Sequence, residues 1–288
     1  MLKDSLLFLF HCPFFVLTSI GMAKFYSLFV SNGGVAGRTD PLIMLCFLTL
    51  WGQFFLIFFF GTSSIVDLLN IFKAKKNTPY YYLFLRVRDL IFRSIIFPIG
   101  IVITSLFWGI YHYDRELIFG KALDSWFPSY LNHLHHTLPG ILIVIETLIV
   151  NHQYHPDPNT LRKFKERSSP ISEIVPITSD LKQDVSYLVS FILFYIGIIA
   201  YTRFHLNFWV YPILAVIPIH SKIIFIFSSS CFGVSLYIIG RAINQKIWGG
   251  KSVFLPPSQQ RQQQQRSTIP PSAQPQQSQK KSNIKKVQ

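Results

Sequence analysis

Six apolar runs constrain this chain more than anything else in it. They cover about Leu6 to Val30, Leu42 to Leu69, Ile95 to Tyr113, Tyr130 to Val150, Val185 to Tyr201 and Ile223 to Ile243. A helix needs about 20 apolar residues to cross the hydrocarbon core of a bilayer. The expected fold is therefore all-α, a polytopic membrane helix bundle with about six transmembrane helices. Composition agrees. Half of the residues are hydrophobic and 14% are charged, where a soluble domain carries about 25% charge. The net charge of +14 is not read as a nucleic-acid signature, because much of it lies in loops and the tail, where Lys and Arg set topology. Cys12, Cys46 and Cys231 all sit in apolar runs, so no disulfide framework is expected. The first run continues past Gly21 with no convincing cleavage site, which reads as a first spanning helix.

The connections carry the orientation. Lys73, Lys75, Lys76, Arg86, Arg88 and Arg93 follow the second run, and Arg162, Lys163, Lys165, Arg167 and Lys182 follow the fourth. The alternate loops hold Arg38, then Arg115 and Lys121, then Arg203 and Lys222. This alternation predicts that both termini are cytoplasmic. Tyr80 to Leu90 mixes aromatics with Arg and predicts an interfacial helix lying on the headgroups. Trp126 and Tyr130 are candidate interface anchors. Phe208 to Pro218 is short and interrupted by Pro212 and Pro218, so it is expected to be re-entrant or interfacial. The domain division is a membrane domain over 1–250 and a disordered, cytoplasmic Gln/Ser/Lys-rich tail over 251–288. The tail ends Lys285-Lys286-Val287-Gln288, which resembles a dilysine retrieval signal. That points to the endoplasmic reticulum or another endomembrane, with the plasma membrane as the other location.

Asn132-His133-Leu134-His135-His136-Thr137 stands on the leading edge of the fourth run. Ionisable groups at membrane depth are costly and are functional candidates by default. The bland alternative is a water-facing, hydrogen-bonded histidine at a helix end, and it suits His133 and His135 better than His136.

A set of short motifs in fixed order runs from Phe47 to Trp248. They are Phe47-Leu48-Thr49, Phe60-Gly61 with Asp67, Phe97-Pro98-Ile99-Gly100, Phe107-Trp108, Tyr113-Asp114-Arg115-Glu116, Leu131-Asn132-His133 with His136-Thr137, His152-Gln153-Tyr154, Trp209-Val210-Tyr211-Pro212, and Asn244 with Ile247-Trp248. In this the chain resembles the androgen-induced membrane hydrolases, integral membrane threonine hydrolases that cleave fatty-acid esters of hydroxy fatty acids. The resemblance implies a carboxylic ester hydrolase with no cofactor and no metal. It also implies a catalytic threonine in the second span and a catalytic histidine in the fourth, which fall on Thr49 and His136. The chain departs from the pattern in Pro139, close behind His136, in a longer basic, Pro-rich loop between spans four and five, and in the Gln-rich tail. Pro139 leaves the local path after His136 open.

The residues themselves fit that chemistry. Thr49 lies seven residues after Leu42, and His136 six after Tyr130. At about 1.5 Å per residue both come about 10 Å into spans that start from the same face. A hydroxyl becomes a nucleophile when a base takes its proton, and an imidazole can return that proton to the leaving alcohol. The substrate, a lipid ester, would enter sideways from the bilayer. Asn132 and His133 are candidates to support His136, and Asp114, Arg115 and Glu116 to shape the mouth of the site. Glu146, ten residues beyond His136, is expected to be deeper, structural, and either protonated or paired. The ordinary role of a threonine in a membrane helix is to bond its own backbone or a neighbouring helix. Two other functions stay open. One is a metal-dependent lipid oxidase using His133, His135, His136, His152 and His155, although about 30 Å of helix separates the two groups. The other is a non-enzymatic channel, transporter or receptor.

Overall fold

The structure, a computed structural model, describes residues 2–34, 37–73, 81–152, 154 and 181–249. The predicted tail, most of the loop between spans four and five, His155 and the terminal lysine pair lie outside the described residues. The described chain is all-helical. Its elements are α1 (Leu2–Ser31), α2 (Pro41–Met44), α3 (Leu48–Ile71), α4 (Tyr81–Ile91), a π turn (Phe92–Ile96), α5 (Phe97–Asp114), α6 (Ser129–His136), α7 (Leu138–Ile149), α8 (Leu181–His205), α9 (Pro212–Val216) and α10 (Ile219–Trp248). Five stretches among them are long and apolar enough to cross a membrane: α1, α3, the continuous Leu83–Leu117, α8 and α10. The protein is an integral membrane helix bundle.

Three expectations change. The fourth run is two helices, broken at Thr137, rather than one continuous helix. Pro139 has no N–H, so the His135 carbonyl loses its helical donor one turn on. The second run does not start its helix at Leu42. A short α2 ends at Met44, and α3 begins only at Leu48. Thr49 therefore stands in the first turn of its helix rather than two turns in. Finally, α4 does not lie apart on the headgroups. It runs through the π turn into α5, and it buries Tyr81, Leu85, Arg88 and Asp89 in the bundle. Phe208 to Pro218 behaves as expected in not spanning, with α9 its one short helix.

Phe-rich faces of α1 and α3 make the central core with Phe97 of α5 and Leu142 and Ile143 of α7, around Leu56, Phe59 and Phe60. Small residues set the closest helix approach, as they do where membrane helices pack without a hydrophobic drive. A side-chain carbon at Gly100 of α5 would run into Ile143 of α7, and one at Gly140 of α7 would stand 2.9 Å from the Thr104 hydroxyl of α5. The π turn is pinned from outside. Buried Arg93 donates to Asp184 of α8 at 2.7 Å, and Tyr237 of α10 donates to the same carboxylate at 2.9 Å.

Candidate functional site

Thr49 owes its environment to the start of α3. Inside a helix, a threonine hydroxyl can bond the carbonyl four residues back. Thr18, Thr62 and Thr147 all do so, at 2.6, 2.7 and 2.7 Å. Thr49 has no helical turn before it. The carbonyl four residues back, that of Leu45, accepts the Trp51 indole N–H at 2.7 Å. The Thr49 hydroxyl lies instead 3.3 Å from His136 Nε2. The first turn is held from the other side. The Leu48 N–H meets the Tyr195 and Tyr211 hydroxyls at 2.9 and 3.0 Å, and Tyr195 donates to the Cys46 carbonyl at 2.9 Å. Tyr211 belongs to the non-spanning segment before α9, which gives that segment a function in building the site.

His136 is the last residue of α6. Its Nδ1 lies 2.7 Å from Asn132 Oδ1 and 3.1 Å from the Asn132 carbonyl, one turn back on the same helix. Both partners are acceptors, so Nδ1 carries the hydrogen and Nε2 is left to accept from Thr49. Phe107 stacks on the ring, with centroids 3.6 Å apart and planes 7° from parallel. The break that ends α6 is bridged from α3. Gln53, one turn beyond Thr49, donates its amide to the Leu134 and His135 carbonyls at 3.3 and 3.5 Å. One helix face thus presents the hydroxyl and holds the backbone that carries the imidazole.

The other expected residues divide. Asn132 supports His136 directly. His133 does not. It is exposed, stacks on Trp108 and lies 3.0 Å from the Thr137 hydroxyl. His135 is not water-facing but 2% exposed, because Leu131, Asn132, His135 and His136 share the inward face of α6. Neither of its ring nitrogens has a hydrogen-bond partner among the described residues. Asp114, Arg115 and Glu116 do not line the site. They fix the loop after α5: Asp114 caps the Glu116 N–H, Arg115 pairs with Asp124 at 2.6 Å, and Glu116 accepts from the Lys121 N–H. From that loop Phe119, Trp126 and Phe127 do line the site, so Trp126 is a wall residue.

Thr49, His135 and His136 open on a cavity of about 240 Å³ walled mainly by apolar side chains, among them Phe25, Phe29, Phe107, Phe119 and Phe225. An apolar cavity with a few convergent polar groups is the usual form of a small-molecule site.

At the other end of α3 a second polar cluster is completely enclosed. Asp67 meets His11 Nδ1 at 2.6 Å, His11 Nε2 meets Glu146 at 3.0 Å, Glu146 meets His152 Nε2 at 3.0 Å, and His152 Nδ1 meets Asp89 at 3.2 Å. Arg88 closes the chain on Asp89 at 2.7 Å. Glu146 is thus paired, one of the two expected states. The cluster ties α1, α3, α4 and α7 together. The two Nε2 atoms take one Glu146 oxygen each while the two Nδ1 atoms face Asp67 and Asp89, and among the described residues no group of three or more His, Cys, Asp or Glu is placed to hold a metal ion. Sequence reasoning missed Gln53 and His11. Both were marked, Gln53 as an amide one turn from Thr49 and His11 as an ionisable group inside the first apolar run.

The family pattern described as "FAR-17a/AIG1-like protein" matches residues 43–245. Among curated proteins, the "Androgen-dependent TFPI-regulating protein" of Mesocricetus auratus is 29% identical over 203 residues, 70% of this chain and 76% of the relative. The "Androgen-induced gene 1 protein" of Homo sapiens is 29% identical over 194 residues, 66% of this chain and 71% of the relative. No solved structure matches.

Proposed function

We propose that this chain, which belongs to the FAR-17a/AIG1-like family, is a membrane-embedded carboxylic ester hydrolase. Its substrates are fatty-acid esters of hydroxy fatty acids, reached from within the bilayer. The observation that carries the reading is the Thr49–His136–Asn132 relay, with its 3.3 and 2.7 Å contacts, opening on an apolar cavity.

The steps follow from the atoms. Thr49 gives its proton to His136 Nε2 as its oxygen bonds to the ester carbonyl carbon. Charge developing on the carbonyl oxygen lies by the positive end of α3, whose first turn carries Thr49. The imidazolium, still donating from Nδ1 to Asn132, passes its proton to the leaving alkoxide, and the alcohol departs. Water then gives a proton to Nε2 and attacks the acyl-threonine. The proton returns to the Thr49 oxygen as the fatty acid is released. The apolar walls take the acyl chains directly from hydrocarbon. The endoplasmic reticulum or another endomembrane is the proposed location, with the plasma membrane as the alternative.

The test is expression of wild type, Thr49→Ala and His136→Ala in membranes lacking endogenous activity, with protein levels matched. Hydrolysis of a branched fatty-acid ester of a hydroxy fatty acid is expected in wild type and lost in both variants. Mass spectrometry of quenched wild type should show an acylated Thr49 peptide. Full activity in Thr49→Ala would remove the nucleophile from the proposal.

A further inference from the structure

Two cations converge on Trp209, whose chain neighbour Val210 lines the cavity. Arg203, in the last turn of α8, sets its guanidinium 5.5 Å from the centre of the Trp209 ring. Lys222, near the start of α10, sets its ammonium 4.6 Å from the same ring. Both side chains are half-buried, and among the described residues neither forms an ion pair with a carboxylate. Helix stability does not explain the lysine, since a cation near a helix N-terminus opposes the macrodipole. Topology does not explain the pair either, because the alternation of basic loops puts this connection on the side where Lys and Arg are scarce.

The position ties them to the site. Trp209 packs in one apolar cluster with Leu48, Tyr211, Ile213 and Phe225. All four of those side chains line the cavity. Leu48 is the residue before Thr49. Phe225 lies three residues beyond Lys222, a spacing that shares a helix face. A lipid whose ester reached Thr49 along these walls would bring its other end towards the two cations.

We infer that Arg203 and Lys222, held against Trp209, form the binding site for the anionic head of the lipid whose ester occupies the cavity. The chemistry they recognise is an oxyanion, the free carboxylate of an esterified hydroxy acid or the phosphate of a phospholipid. Guanidinium and ammonium suit either through charge-assisted hydrogen bonds, and the indole holds the two heads together. This assignment rests on the ester-hydrolase reading for its substrate, but its test does not depend on turnover.

The experiment uses the full chain in neutral phosphatidylcholine vesicles. The probes are a non-hydrolysable ether analogue of the branched lipid with a free carboxylate, and its methyl ester. Binding is read by thermal stabilisation and by competition. Wild type should prefer the carboxylate by about tenfold, the scale of one hydrogen bond to a charged group. The Arg203→Gln/Lys222→Met double variant should lose most of that preference, and Lys222→Arg should keep it. A preference intact in the double variant overturns the proposal, as does equal binding of both analogues by wild type in the absence of any phosphate effect. If the analogues bind equally but vesicles containing phosphatidate stabilise wild type and not the double variant, the site stands and its source is the phospholipid. If the carboxylate preference follows the cations while wild type hydrolyses no ester, the head site stands and the hydrolase reading falls.

Discussion

Asn132→Leu isolates what the asparagine does for His136. The Asn132 amide oxygen accepts from Nδ1 at 2.7 Å and so fixes the tautomer that leaves Nε2 facing Thr49. A hydrogen bond to a group that becomes charged in the transition state is worth about 1.5–3 kcal/mol, or roughly 10- to 150-fold in rate. Leucine removes that oxygen but leaves the Asn132 backbone carbonyl 3.1 Å from Nδ1. A poorer acceptor therefore remains, and the loss should fall at the lower end, about ten- to thirtyfold in kcat. KM should hold, because Asn132 is not among the cavity walls. Asn132→Asp keeps an acceptor in place and should recover most of the rate. The assay is hydrolysis of a fluorogenic lipid ester by purified protein in lipid nanodiscs, with folded protein matched by thermal unfolding. A kcat within about twofold of wild type would refute the claim that this side chain sets the tautomer.

Other substitutions test the supports. Gln53→Leu leaves the Leu134 and His135 carbonyls without their bridge, so stability should fall by about 1–3 kcal/mol and kcat with it; thermal unfolding beside turnover reads both. Glu146→Ala strands His11 and His152 against the remaining acids in a fully enclosed cluster. Removing one partner of a buried ion pair costs about 3–5 kcal/mol, so folded yield should collapse, while Glu146→Gln should retain part of it; monodispersity after detergent extraction decides. Tyr195→Phe removes the hydroxyl shared by the Cys46 carbonyl and the Leu48 N–H, and should lower kcat several-fold with little change in stability, since Tyr211 still meets the Leu48 N–H.

Hydropathy located the membrane-crossing material because burial in lipid acts on average composition, and that survives in the sequence residue by residue. It misplaced the two features on which the site depends, and for one reason: hydropathy does not register where a helix starts or breaks. Leu42 and Leu48 look alike to it, yet only from Leu48 does the backbone run as α3. The apolar run from Tyr130 to Val150 looks continuous, yet Pro139 removes one donor and splits it. Both faults had local marks, Pro41 at the first position of α2 and Pro139 after His136. The depth argument for Thr49 and His136 assumed two unbroken helices. The two residues meet by a different route, the start of one helix against the end of another. Asn132 was legible from its spacing, since four residues make one helical turn. Gln53 needed the break at Thr137 to have a purpose.

That geometry explains why Thr49 is the threonine proposed to carry the reactive hydroxyl. In lipid a hydroxyl has no water to turn to, and the cheapest partner is the carbonyl one turn back. Thr18, Thr62 and Thr147 take it, and their hydroxyl protons are committed. Thr49 is released from this at the head of α3, where Trp51 occupies the Leu45 carbonyl. A histidine on a continuous helix would still be hard to bring there, because a helix rising past α3 offers its side chains at its flank. Ending α6 at His136 presents the imidazole at the end of a helix, and Gln53 supplies the hydrogen bonds that the ending leaves open. The glycine–isoleucine contact between α5 and α7 then lets the chain resume close against the bundle. A substitution that heals the break should therefore cost more activity than stability. Pro139→Ala restores the N–H that the His135 carbonyl lacks, lengthens α6 through Thr137, and draws His136 off Thr49. The expected result is a more heat-resistant protein with at least a tenfold lower kcat, on the scale of about 1.4 kcal/mol per factor of ten. A Pro139→Ala variant with wild-type turnover would show that the break is not what seats the pair.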